Sequence, residues 1–145
     1  MRISQLMTAH PVTCRPTDSL HEAARLMWDR DVGCLPVVDG NGRVLGILTD
    51  RDIAISAFAR DQRLSEIPAT VAMAEQVFTC AGDDPVELAA RIMTDKGVRR
   101  LPVVDPDGRL VGIVSLDDLA AAAVKTTDGS SRAVASALAT ISGTV

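Results

Sequence analysis

The sequence predicts an α/β fold of two tandem β-α-β-β-α repeats, buried against each other about a pseudo-two-fold axis. Three observations carry this expectation. One pattern is written twice, 66 residues apart without a gap: Leu35-Pro36-Val37-Val38-Asp39 returns as Leu101-Pro102-Val103-Val104-Asp105, and Gly46-Ile47 returns as Gly112-Ile113. An offset that never slips marks a duplicated supersecondary unit, so any feature of one copy recurs in the other. Within each copy, helical and strand periodicities alternate. Finally, 145 residues make about one domain, and one repeat alone is near the lower limit of a self-sufficient core, so the halves are expected to share one.

The first strand of each copy is read as Val12-Thr13-Cys14 and Phe78-Thr79-Cys80. A helix follows from about Leu20 to Arg30, because Leu20, Ala23, Ala24 and Met27 form one apolar stripe. Asp18 or Ser19 is placed to cap it, and Ser19-x-x-Glu22 fits a capping box. In the second copy Val86, Ala89, Ala90 and Met93 repeat the stripe. There Asp84 is expected to cap and Pro85 to take the first helical position, where a missing N–H matters little. Leu35 to Val38 is the next strand, Asp39-Gly40-Asn41-Gly42 a turn, and Val44 to Leu48 the return strand. The second hairpin runs through Asp105-Pro106-Asp107-Gly108 into Leu110 to Val114. Gly46 and Gly112 interrupt these strands, which marks a bulge or a close backbone approach.

A last helix in each copy begins near Asp50 and Leu116. Residues 1–66 thus form the first repeat, with a core over about 12–57, and residues 67–124 the second. Residues 125–145 lie outside the repeat. Lys125 to Ser131 reads as a linker, and Arg132 to Ile141 as a weak helix with Val134, Leu138 and Ile141 on one face.

Composition narrows the function classes. The core must be aliphatic, since Trp28, Phe58 and Phe78 are the only aromatics. The net charge is −4 and Arg99-Arg100 is the only adjacent basic pair, so a nucleic-acid partner is disfavoured. No apolar run approaches 18 residues and the N-terminus lacks a signal-peptide core, so no membrane span and a cytoplasmic location are expected. Cys14, Cys34 and Cys80 do not form a disulfide framework. His10 and His21 do not recur, which argues against a metal site and against a Ser–His–Asp arrangement.

The strongest local signal is Thr49-Asp50-Arg51-Asp52, matched by Ser115-Leu116-Asp117-Asp118. Both read hydroxyl-x-x-Asp where a strand meets a helix. A helix N-terminus offers free N–H groups to phosphate, the hydroxyl adds a donor, and the carboxylate suits a ribose diol. The same pattern is equally a helix cap that needs no ligand. The second signal is Gly33-Cys34-Leu35-Pro36, matched by Arg99-Arg100-Leu101-Pro102. Backbone groups beside such a proline could read a base edge between apolar side chains, or simply begin a strand. Arg99 and Arg100 replace Gly33 and Cys34, so the copies are not equivalent toward phosphate.

Taken together, two copies of strand, helix, Leu-Pro-Val-Val-Asp, hairpin and Gly-Ile-hydrophobic-Thr/Ser-x-x-Asp resemble the CBS-domain family over about residues 3–124. A CBS pair is also called a Bateman module. The resemblance implies repeats packed sheet to sheet, a pair of clefts between them, a homodimer, and binding of AMP, ADP, ATP or S-adenosylmethionine as a regulatory ligand, with no obligatory cofactor and no catalysis. It implies ribose contacts from Asp52 and Asp118 and phosphate contacts from Thr49, Ser115 and Arg51. Base contacts are implied near Thr13 and Thr79 and from the segments ending at Pro36 and Pro102. Asp117, standing where Arg51 stands in the first copy, weakens the phosphate expectation there. With no effector domain read in the chain, output is expected to go to a separate protein effector or to self-assembly. The competing reading is a ligand-independent dimerisation or protein-interaction module.

Overall fold

The computed structural model describes residues 1–125 and 130–142. Part of the expected linker, residues 126–129, and residues 143–145 lie outside the described residues. The chain forms two compact units. One comprises Pro11–Val77 with Gly108–Leu110; the other comprises Met1–His10, Phe78–Asp107 and the described residues from Val111 onward. The units follow packing and not the 66-residue sequence period, because each repeat's leading segment packs on the other repeat's hairpin.

The second-repeat unit holds a four-stranded sheet. Its strands are β1 (Thr8–Ala9), β4 (Cys80–Ala81), β5 (Arg100–Val104) and β6 (Leu110–Ser115), in the order β1-β6-β5-β4. Helices α4 (Val86–Lys96), α5 (Leu116–Ala123) and α6 (Ser130–Ser142) complete it. The N-terminal segment enters this sheet directly: Thr8 and Ala9 pair antiparallel with Ile113 and Gly112.

The first-repeat unit is built around an antiparallel hairpin of β2 (Cys34–Val38) and β3 (Val44–Thr49), in register at Cys34–Thr49 and Pro36–Ile47. Single bridges extend it on both sides, Cys14 parallel to Val37 and Ala74 antiparallel to Ile47. Its helices are α1 (Leu20–Arg30), α2 (Asp50–Arg60) and the one-turn α3 (Ala69–Ala72). The segment from Ala69 to Ala74, ahead of β4, therefore has a structural role. Met73-Ala74 lies on β3 as Met7-Thr8 lies on β6.

The strand glycines exist for this contact. A Cβ on Gly46 would sit 2.6 Å from the Met73 sulfur and 2.8 Å from the Ala74 carbonyl oxygen. On Gly112 it would sit 2.5 Å from the Met7 sulfur and 3.0 Å from the Thr8 carbonyl oxygen. Only glycine admits a neighbouring backbone so closely.

Three local expectations are corrected. The first strands shrink to the Cys14 bridge and to Cys80–Ala81, since Cys14 alone exchanges bonds with β2, through Pro36 and Val38. Pro85 is itself the extended N-cap of α4 (ψ 150°), because the Asp84 carboxylate accepts from Ala81 N–H instead of capping. Ser19 does cap α1, but only half of a box forms, as Glu22 turns to Arg25.

Each unit has its own core, where one shared core was expected. Leu20, Met27, Leu35, Val37, Leu48, Ile53 and Ile67 fill one; Ile3, Val86, Met93, Leu101, Val103, Val114, Leu116 and Leu119 fill the other. Borrowed segments explain this, since Ile3 closes one core and Ile67 with Ala69 closes the other. α6 adds Val134, Ala137 and Ile141 to the second, so the tail helix read from the sequence packs on α4 and α5.

Candidate nucleotide site

In the first-repeat unit the hairpin hands over to α2 at Thr49, whose extended backbone ends the strand. Thr49 Oγ1 accepts from Asp52 N–H (3.1 Å), and Asp52 Oδ2 accepts from Thr49 N–H (2.9 Å). The reciprocal pair satisfies donors that a helix start leaves open. Asp50 N–H donates to the Gly33 carbonyl oxygen at 3.1 Å, and Cys34 sits opposite Thr49. The structure thus gathers Gly33, Cys34, Thr49, Arg51 and Asp52 around one helix N-terminus, with Arg51 exposed. Thr13 precedes Cys14 on the far side of β2 from β3. The Pro36 carbonyl oxygen accepts from Cys14 N–H at 3.1 Å.

The second-repeat unit repeats the arrangement. Ser115 Oγ accepts from Asp118 N–H (3.1 Å), Asp118 Oδ2 accepts from Ser115 N–H (2.8 Å), and Leu116 N–H donates to the Arg99 carbonyl oxygen (2.8 Å). Here Arg99, Arg100, Ser115, Leu116 and Asp117 line a cavity of about 160 Å³. Both arginines are exposed, and Thr79 is exposed beside Cys80. Two guanidiniums at a helix N-terminus make an anion-favouring corner, and Asp117 opposes them from the same wall.

Capping and ligand contact are compatible in this geometry. The box engages one oxygen of each carboxylate, and the other lies outside it. The expected apolar sandwich from the strand starts does not form with the leucines. Leu35 and Leu101 are 0% exposed, their side chains turned into the cores, and Pro36 and Pro102 are buried too. β2 is buried from Cys34 to Val37 and β5 from Leu101 to Val103, so at the strand starts only Gly33 and the Arg99-Arg100 pair are accessible. Leu116 is the cavity residue that motif reasoning passed over; its signal was its place between Ser115 and Asp118.

The cysteines play no part in these corners beyond Cys34. Burial, reinforced by Asp18 and Asp84, pushes the Cys14 and Cys80 thiols up to about 12, which leaves them protonated and unreactive. Among the described residues no three His, Cys, Asp or Glu side chains converge on a metal site, and no buried side-chain nitrogen or oxygen lacks a partner.

The family model described as "CBS domain" matches residues 3–57 and 64–125. The chain is 35% identical over 108 residues to "Uncharacterized protein MK0525" of Methanopyrus kandleri, covering 74% of this chain and 55% of that protein. It is 38% identical over 119 residues to a homoserine O-acetyltransferase of Methanocorpusculum labreanum, covering 82% of this chain and 23% of that enzyme. The chain therefore spans about half or less of the length of these relatives. Among solved structures, the CBS domain pair of protein MJ0100, in complex with 5′-methylthioadenosine and S-adenosyl-L-methionine, is similar at a TM-score of 0.74 and 30% identity. That match covers 84% of this chain and 94% of that one. CBSX2 in complex with AMP is similar at a TM-score of 0.73 and 26% identity, covering 86% of this chain and 96% of that one.

Proposed function

Because the chain belongs to the CBS-domain family and carries two copies of the domain, we propose that it is a regulatory module for an adenosine-containing ligand. The observation that carries this reading is the duplicated helix start. Each unit places a hydroxyl, the first-turn N–H groups and a half-buried carboxylate together, Thr49 with Asp52 and Ser115 with Asp118. The carboxylate suits a ribose diol, and the helix end suits phosphate. The second-repeat corner has the stronger claim on phosphate, through Arg99 and Arg100 lining its cavity. Relatives of similar fold crystallised with S-adenosylmethionine, methylthioadenosine and AMP support the adenosyl class.

In this reading Thr13 and Thr79 contribute base contacts, Arg51 assists phosphate in the first-repeat unit, and no reaction is catalysed. Ligand binding changes state only through differential affinity for two conformations. Output then goes to a separate protein effector, from a cytoplasmic homodimer. A second reading, a ligand-independent interaction module, is favoured by one observation: both capping boxes are complete without ligand.

Calorimetric titration with AMP, ADP, ATP and S-adenosylmethionine tests the choice. Saturable binding that is lost with Asp52→Ala or Asp118→Ala supports the sensor and names the live site. Heats that are absent for all four ligands transfer the reading to the interaction module.

A further inference from the structure

One residue belongs both to the second-repeat corner and to the core behind it. Leu116 lines the cavity with Arg99, Arg100, Ser115 and Asp117. It is nevertheless 1% exposed and sits in the apolar cluster that holds Val134, Ala137 and Ile141 of α6. Its N–H donates to the Arg99 carbonyl oxygen at 2.8 Å, and it stands directly between Ser115 and the residues that close the capping box. The corner therefore rests on a residue packed, on its other side, in the α6 core.

The first repeat shows the same helices in another setting. Asp50 occupies the place of Leu116, and it is exposed. Ala24, Met27, Trp28, Val32, Asp50 and Ile53 line an open groove there, of about 270 Å³. Met27 and Ile53, the counterparts of Met93 and Leu119, are still only 7% exposed. Such a helix pair thus holds its own packing beside an open groove, and α6 is an addition to it. α6 also follows the last residue of the family match, residue 125. Serine, alanine and threonine make up most of it, and its apolar contact rests on Val134, Ala137, Leu138 and Ile141. A short helix of this kind is held by docking more than by its own propensity.

We propose that α6 is the responsive element of the second-repeat corner: an adenine nucleotide bound there favours docked α6, and release of α6 loosens the corner. This coupling rests on the adenosyl reading above and names the element that responds. With α6 docked, Leu116 is held from behind, and its N–H fixes the Arg99 carbonyl while Ser115 and Asp118 meet in one geometry. With α6 released, Leu116 loses its cover and the first turn of the eight-residue α5 loses its anchor. A ligand that needs the assembled corner binds the docked state better, and only such differential affinity shifts an equilibrium. Linkage makes the effect reciprocal, so α6 strengthens ligand binding by the factor with which ligand strengthens α6 docking.

Amide hydrogen exchange on the full chain tests this, with and without saturating AMP, ADP or ATP. Bound nucleotide is expected to slow exchange in α6 about 10-fold, inside the 5- to 150-fold range of allosteric couplings. Ala137→Asp and the milder Ile141→Ala lie on α6, outside the cavity wall. The first is expected to weaken nucleotide affinity by a similar factor in calorimetric titration, and the second by less. Leu116→Ala is expected to speed α6 exchange without nucleotide. The wild-type exchange needs no variant, and Ile141→Ala keeps the affinity arm should Ala137→Asp fail to fold. Wild-type protein that binds none of the three nucleotides, or loses all binding with Asp52→Ala, sinks the ligand reading of this corner and the coupling with it. Binding at this corner that leaves α6 exchange unchanged overturns the coupling alone. So does an affinity indifferent to both α6 substitutions.

Discussion

Replacing Asp118 by Asn and by Ala separates its two possible roles. In the folded chain Asp118 Oδ2 accepts from Ser115 N–H at 2.8 Å while its own N–H donates to Ser115 Oγ at 3.1 Å. An asparagine keeps a carbonyl oxygen for the first bond and leaves the second untouched. Its effect on stability is expected to stay within about 0.5 kcal/mol, as for surface changes that preserve their contacts. Alanine removes the acceptor and is expected to cost about 1 kcal/mol, in the range of a lost helix cap. Toward a ribose diol the order changes. Hydrogen bonds to a charged group are worth about 1.5–3 kcal/mol, so loss of the charge in Asn alone is expected to weaken adenosyl binding roughly 10- to 100-fold. The assay pairs urea denaturation with calorimetric titration of both variants, and repeats it at Asp52. An Asn variant at both sites that binds with wild-type affinity would refute the ribose role and leave the carboxylates as caps.

Gly46→Ala is expected to destabilise by about 2 kcal/mol, since its Cβ meets the Ala74 carbonyl oxygen at 2.8 Å as well as the Met73 sulfur. Gly112→Ala should cost less, near 1 kcal/mol, because its backbone contact is 3.0 Å and Met7 can yield. Met7→Ala should rescue Gly112→Ala better than Met73→Ala rescues Gly46→Ala, as read by urea midpoints. Ala137→Asp places a charge at a fully buried position of α6 and is expected to cost about 2–3 kcal/mol, with loss of amide protection in α4 and α5 by hydrogen exchange. The Cys14 and Cys80 thiols, at 9.0 when exposed and about 12 when folded, favour the folded state below pH 9. That contribution is lost progressively as pH rises from 9 to 12. A Cys14→Ala/Cys80→Ala variant should show a shallower decline in stability over that window, and thiol labelling of the native protein at pH 8 should be slow.

Much of the fold was legible because its signals are local. The stripe of Leu20, Ala23, Ala24 and Met27 fits α1, observed as Leu20–Arg30, and Thr49-x-x-Asp52 and Ser115-x-x-Asp118 both close their boxes. The candidate site was legible to the same depth, as a helix start beside a strand start. What it lacked was side-chain direction: Leu35 and Leu101 are named by the motif yet point into the cores. The Asp84-Pro85 cap was misjudged because a carboxylate beside a turn has several N–H groups to choose from, and Ala81 lay nearer.

The sequence by itself determined the duplication, the hairpins and the caps at Ser19, Thr49 and Ser115, and it marked positions 46 and 112 as a bulge or a close approach. These follow from periodicity and from bonds spanning a turn or less. Tertiary structure alone decided which segment meets which: Met7 on Gly112, Met73 on Gly46, and α6 across α4 and α5. Such contacts join residues far apart in the chain, and their energy lies in shape and burial, which no short pattern encodes. For the same reason the fold, and no short pattern, decides that Trp28 stands in water.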